Sequence, residues 1–274
     1  VTAGALTEPS HPLFAPLAYR LAGRLAGIEW SELAAEPAAA SHAIRDLQRA
    51  LGTVPVTSQI RLGFEAEACG ADLGRDDEGI AVGLVEPIDP PSDAARFLTA
   101  PLVTTALDLT RRLSGELPGT AAVIGVMTGP RTLAPMFTET DQLASLYAAL
   151  FRGYAEAGAA AVLAVEAPAA GPGTAADLEP LRPTLNVAAY FGVPIGIVDS
   201  GLEKRPAGWA WAFGREELIA PELLRRDPLE ADQPPAAPVS RPLVMSAGEV
   251  DPDTPLERLI AWRDRIEQSE LRKE

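Results

Sequence analysis

Polar residues gather where the apolar runs of this chain break off. Gln59 and Arg61 stand at the end of VPVTSQI (54–60), and Thr128 and Arg131 follow VIGVMT. Glu166 closes AVLAVEA, Asp199 and Ser200 close VPIGIVD, and Glu249 follows LVMSA. A guanidinium is planar, permanently charged, and matches a carboxylate through two parallel hydrogen bonds. A carboxyl shifted upward by burial can carry a proton near neutral pH. Arginines and carboxyls on neighbouring strand tips would therefore hold an anion and exchange a proton with it. Arg131 sits beside Gly129-Pro130, a break that would let backbone approach such an anion. The other use of Arg131 is to bond loop carbonyls or pair with a nearby carboxyl. Glu166 is likewise either a general acid or base or the ion-pair partner of an arginine. Asp199 either supports Glu166 or caps the next segment.

Other candidates are weaker. Arg20 and Arg24 lie four apart in a helical pattern and share a face, as an anion clamp or as two solvated arginines. Glu65 and Glu67 straddle Ala66, so one is expected to face a cleft and the other water. Cys69 reads as a small buried hydrophobe, and His11 and His42 fall outside the strand-tip set. Lys204 and Lys273 are the only lysines, which leaves Lys204 as the one Schiff-base candidate and gives that chemistry little support.

The elements that would position these groups follow from periodicity. Helical spacing covers 12–27, 36–51, 101–116, 139–158, 176–191, 215–225 and 254–270, with Pro37 and Gly52 punctuating the second. Strand-like runs cover 54–60, 80–85 (IAVGLV), 121–127, 161–167, 193–199 and 243–247; GWAWAFG, with Trp209 and Trp211 read as core rather than an aromatic lid, is weaker. EADQPPAAPVSRP (230–242) reads as a connector. Alternating β and α units imply parallel strands covered by helices, in a barrel or an open doubly wound sheet. In a barrel the reacting groups lie at strand C-termini, which is the rule that selects the residues above. No G-x-G-x-x-G or Walker A pattern follows a strand, so nucleotide binding has little support.

Composition narrows the class. The chain has 274 residues, 47% of them hydrophobic, a formal charge of −15 and one cysteine. It can bury a sizeable core and forms no internal disulfide or cysteine-rich metal site. The acidic surface argues against nucleic acid. No apolar run approaches the roughly 18 residues of a spanning helix, so no membrane partner is expected. The N-terminus has no secretory pattern, so the cytoplasm is the expected location.

Several segments resemble the uroporphyrinogen decarboxylase superfamily, which also holds the zinc-dependent methyltransferases that demethylate corrinoid proteins. RLAGR (20–24) is similar to its R-Q-A-G-R, and GFEAEACGADL (63–73) to a segment ending E-A-x-G-x-x-V. TGPRTLAP (128–135) resembles T-G-P-x-T-L-A, and AEAGAAAVLAVEAPAAG (155–171) resembles A-G-A-x-x-V-x-I-x-D-x-x-A-G. DPDTPLERL (251–259) is similar to the closing P-x-D-T-P-x-E-N-V. The resemblance implies a distorted TIM-type (β/α) barrel with a cleft on its C-terminal face, in which Arg20 and Arg24 match arginines that clamp substrate carboxylates. There are departures. TSQIRL puts Arg61, or Gln59, near the place of the decarboxylase aspartate. VDSG (198–201) puts Val198 and Ser200 where the methyltransferases have zinc-binding His and Cys. MSAGE (245–249) stands in place of N-L-G-H-G.

The expectation is an α/β chain forming one barrel domain over 1–274, with N-terminal helices over 1–52 and a shortened barrel over 53–274 showing six convincing strands. It would bind a small carboxylate-bearing molecule through Arg20, Arg24, Arg61, Arg131, Gln59 and Thr128. Glu166 would donate a proton with Asp199 in support, without metal or cofactor, in decarboxylase (lyase) chemistry. The alternatives are a zinc-free one-carbon transferase and a non-catalytic binding or assembly subunit. A shortened barrel leaves edges to cover, so a homodimer or hetero-complex is expected.

Overall fold

Pro16 interrupts what the sequence presents as one helix over 12–27. In the structure, a computed structural model, that stretch is strand β1 (Leu13–Leu17) followed by helix α1 (Tyr19–Ala26). Every residue of β1 is buried. A strand covered on both faces has an unbroken apolar run, which periodicity alone does not separate from a buried helix. Pro16 falls where the β1–β8 register shifts, between Ala15 and Leu17, a bulge that tolerates its missing N–H. The structure describes residues 6, 9–75, 83, 86–91, 93–202, 208–214, 217–226, 228 and 243–268. Lys204, Lys273, the 230–242 connector and most of the 80–85 run lie outside them.

Among the described residues, eight parallel strands follow one another around a TIM-type barrel. After β1 come β2 (Pro55–Thr57), β3 (Ala122–Thr128), β4 (Ala161–Val165), β5 (Ile195–Val198), β6 (Trp211–Phe213), β7 (Leu218–Ile219) and β8 (Leu243–Glu249). They form two hydrogen-bonded arcs, β2-β3-β4-β5-β6 and β7-β8-β1, each in barrel order. The β1 and β2 strands lie side by side without a ladder. The distortion expected from the sequence is therefore present, but the shortening is in strand length and not in strand number. In the late barrel the weaker candidate GWAWAFG supplies the three residues of β6, and the missed strand is the two residues of β7. The latter occupies part of a stretch expected as helix over 215–225, where Pro221–Leu224 is the α-helical segment among the described residues.

Side chains along a strand alternate between two environments. Leu163 and Val165 of β4 join Val198, Trp211 and Met245 in the cluster that fills the barrel. Val162 and Ala164 pack outward with Leu146, Phe151 and Tyr154 of helix α2 (Leu143–Glu156). The 101–116 helix is as expected, and so is 37–51, which starts with Pro37 and ends on Gly52 in the left-handed conformation that glycine favours (φ 67°). No helix among the described residues is long and apolar enough to cross a membrane.

Candidate functional site

A cleft of about 550 Å³ opens at the C-terminal ends of the strands. Its walls are mostly apolar, with Leu17, Trp30, Ile60, Leu73, Met136 and Val165 among them. Into it face Arg20, Arg61, Arg75, Thr132, Glu166 and Glu249. A largely apolar hollow with a few converging polar groups is the usual form of a small-molecule site, and strand C-termini are where barrels put it.

Glu166 follows β4 directly and is held by the chain that leaves β3. The backbone N–H groups of Arg131 and Thr132 donate to its Oε1 and Oε2 at 3.0 and 2.8 Å, and Thr132 Oγ1 donates to Oε2 at 2.6 Å. Thr132 Oγ1 in turn accepts from Ala167 N at 2.7 Å, which ties the two strand tips together. Burial raises the Glu166 pKa above the ordinary carboxyl value, outweighing the bonds from Thr132 and Arg131. Gly129 makes this possible. A Cβ there would lie 2.2 Å from Glu166 Cδ, so the Gly-Pro break admits a carboxyl of the protein itself where the sequence suggested an outside anion.

Glu249 ends β8. Arg20, at the start of α1, donates from its backbone N to Oε1 at 2.6 Å and from Nε to Oε2 at 2.9 Å. Burial nevertheless pushes the Glu249 pKa up to about 7, against the pull of Arg20. On another wall Arg61 and Arg75 both grip Glu67. Arg61 donates at 3.0 and 3.2 Å, and Arg75 at 2.7–3.0 Å. Burial would raise the Glu67 pKa, but the bonds from Arg75 and Arg61 outweigh it and hold that carboxyl below its usual range.

Arg20, Arg61 and Glu166 thus come together as expected, and the others do not. Arg131 lies behind Glu166, not in the cleft. Its guanidinium pairs with Asp199 and donates to the carbonyls of Ala170 and Gly171, the alternative the sequence had left open. Asp199 is correspondingly buried, held by Arg131 and Gly201 N (2.8 Å). Arg24 is more than half exposed and pairs with Asp253 at 2.8 Å outside the cleft. Gln59 lies beneath it, donating to Val126 O at 3.0 Å while its Oε1 accepts from Arg61 N at 2.7 Å.

Thr128 is also internal. Its N and Oγ1 donate to Glu65 at 2.7 and 2.5 Å, and its Oγ1 accepts from Gly63 N at 2.7 Å. Neither Glu65 nor Glu67 faces water: the first is enclosed, with burial raising its pKa to about 7, and the second lies under two arginines. Arg75 and Thr132 were missed. Arg75 stands in an acidic, aperiodic stretch with no signal, whereas Thr132 lies within the quoted TGPRTLAP.

The cleft lining has no imidazole or thiol, and no three His, Cys, Asp or Glu groups come together among the described residues. That donor set does not fit the zinc ion the resemblance would bring. No family model and no curated protein matches the chain. Among solved structures it is similar to a methyltransferase from Methanosarcina mazei, with a TM-score of 0.69, 14% identity, and coverage of 96% of this chain and 97% of that one. At that identity the likeness shows the barrel fold.

Proposed function

We propose that this chain is a divergent enzyme of the uroporphyrinogen decarboxylase superfamily that moves a one-carbon (methyl) group on a small carboxylate-bearing molecule without zinc. The observation that carries the reading is the single cleft into which Arg20, Arg61, Arg75 and Glu166 all open. The arginines hold the carboxylate, and the apolar walls take the remainder of the molecule. Glu166 supplies the proton. Its Oε2 accepts two hydrogen bonds and its Oε1 one, so Oε1 has room for it. When the methyl group passes from a heteroatom to an acceptor, the electron pair of the broken bond stays on the heteroatom and takes that proton. The fold shared with a methyltransferase supports this reading over its rival.

The rival is decarboxylation, favoured by one observation. Arg61 and Arg75 both open into the cleft beside apolar walls, where they would hold a carboxylate while protonated Glu166 quenches the carbanion. Carbon-13 NMR separates the two readings. Methoxy- or methylthio-carboxylates labelled at the methyl group are incubated with the protein and a reduced corrinoid or folate acceptor. Methyl transfer, lowered at least about 100-fold in Glu166→Gln, is the expected outcome. Release of labelled CO₂ from a carboxyl-labelled panel, without methyl transfer, would turn the assignment to the decarboxylase. Neither reaction across both panels would overturn both.

A further inference from the structure

Glu249 occupies Arg20 as a substrate carboxylate would. Its two oxygens take the backbone N–H and the Nε–H of the same residue, the two-point geometry of a bound carboxylate. It does so inside the cleft, in the path of any anion that is to use Arg20. Two carboxylates sharing one guanidinium at hydrogen-bond range repel strongly, and such pairs relieve the repulsion by keeping one proton.

We propose that Glu249 is the resident counter-ion of Arg20, and that a ligand carboxylate shares Arg20 only with the protonated form of Glu249, so that binding takes up one proton. The inference rests on the carboxylate-binding reading of the cleft. The proton has a route from solvent. Glu249 and Arg20 also line a second, open hollow of about 410 Å³, so they form a partition with water on its far side. The groups facing Glu249 favour the same outcome. Arg20 is its direct partner, and the Tyr19 hydroxyl is driven upward by its own burial and then by Glu249. Glu222, Asp251 and Asp253 line the second hollow with Arg225 as its other cation. Across the cleft stand Glu166, Arg61 and Arg75, and the last two are engaged with Glu67. A new anion therefore enters beside a carboxyl already near its titration point at neutral pH.

The sign follows from linkage. Ligand affinity is level at pH values below the titration of Glu249 in the free protein, about 7. Above it, affinity falls about tenfold per pH unit until Glu249 also ionises in the complex. Calorimetry with succinate and with benzoate, each in two buffers of different ionisation enthalpy, reads the proton directly. At pH 8 the wild type takes up about one proton per carboxylate bound. Glu249→Gln binds with no uptake and a flat pH profile. Glu166→Gln keeps the uptake, which separates the two carboxyls. Binding to wild type without proton uptake, or uptake that persists in Glu249→Gln, overturns the displacement while leaving the carboxylate site intact. Absence of binding to wild type and Glu249→Gln alike, with both melting normally, removes the carboxylate reading itself.

Discussion

Two walls of the cleft hold a glutamate against arginine with nearly equal surface exposure. The Glu249 and Glu67 side chains are 14% and 13% exposed, yet their pKa values move in opposite directions. Burial contributes to the difference, because Glu249 is enclosed more deeply by surrounding protein and its desolvation is greater. Among the described residues Glu249 faces one guanidinium, whereas Glu67 lies between two that donate to both of its oxygens. Two charge-assisted partners offset the lesser desolvation of Glu67, and one does not offset the greater desolvation of Glu249. The consequence is a division of labour. Glu67 is a fixed counter-ion held by both arginines of its wall, and Glu249 is one that titrates.

The comparison has a limiting case in the Arg131–Asp199 pair, whose side chains are 8% and 1% exposed. Removing one member of an enclosed pair leaves the other charge without compensation, a loss of about 3–5 kcal/mol. Arg131→Ala is expected to show the largest destabilisation of any single change at the barrel mouth, measured by urea unfolding. It also frees the carbonyls of Ala170 and Gly171. A loss below about 1 kcal/mol would mean that enclosure does not govern these pairs, and the two-wall argument would lose its reference point.

Titration comes next in size. Glu249 and Glu65 both carry a folded pKa raised from 4.5 to about 7. Between those values the folded chain binds more protons than the unfolded one, so stability falls as pH rises from about 4.5 through 7 and is level above. Each group contributes up to about 3 kcal/mol to that fall. Glu67, with its lowered pKa, has the opposite sign. Its stabilisation is complete above the unfolded carboxyl value and is lost as the pH drops through the folded one. Unfolding of Glu249→Gln at pH 5 and pH 8 should show a smaller difference than wild type, whereas Glu67→Gln should leave that difference unchanged, because the Glu67 contribution is lost only below the unfolded carboxyl value. At pH 7 the walls should also differ outright. Glu67→Gln leaves two like charges facing each other and costs about 2–3 kcal/mol, whereas Glu249→Gln costs less than about 1 kcal/mol. Equal losses would erase the distinction.

What the sequence could say about this region depended on whether a residue's partner was local. Strand tips were legible because an apolar run that stops on a polar residue is a one-dimensional signal, and Glu166 and Arg61 reach the cleft as expected. Parallel strands covered by helices were legible for the same reason, through alternating β and α units, and the family resemblance chose the barrel over an open sheet. Partnership across the fold was not. Gly129 looks like a turn residue in sequence, and only the approach of Glu166 from another strand shows that it is a space for a carboxyl. Arg131 lies at a tip but turns toward Asp199, 68 positions away. The β1 strand was misread because burial on both faces removes the alternation that distinguishes a strand. The strand β7 is too short to carry any period at all, and β6 shows only as the end of the weak run GWAWAFG.

Arg24 provides the smallest effect and the cleanest control. It shares a helix with Arg20 and pairs with an acid in the segment that follows Glu249, so local sequence gives both arginines the same standing. Their surroundings differ: the Arg24 and Asp253 side chains are 61% and 55% exposed, against 15% and 14% for Arg20 and Glu249. An exposed pair is screened by water and salt, and holding two long side chains together offsets most of the attraction. Arg24→Ala should therefore change unfolding stability by less than about 0.5 kcal/mol and leave carboxylate affinity within about twofold, since Arg24 lies outside the cleft lining. Arg20→Ala, one helical turn away, should abolish measurable carboxylate binding at the Glu249 wall, because it removes the donor itself. If calorimetry instead found the two substitutions equally damaging, the anion would be reaching α1 from its solvent side, and the cleft would not be the place where it binds.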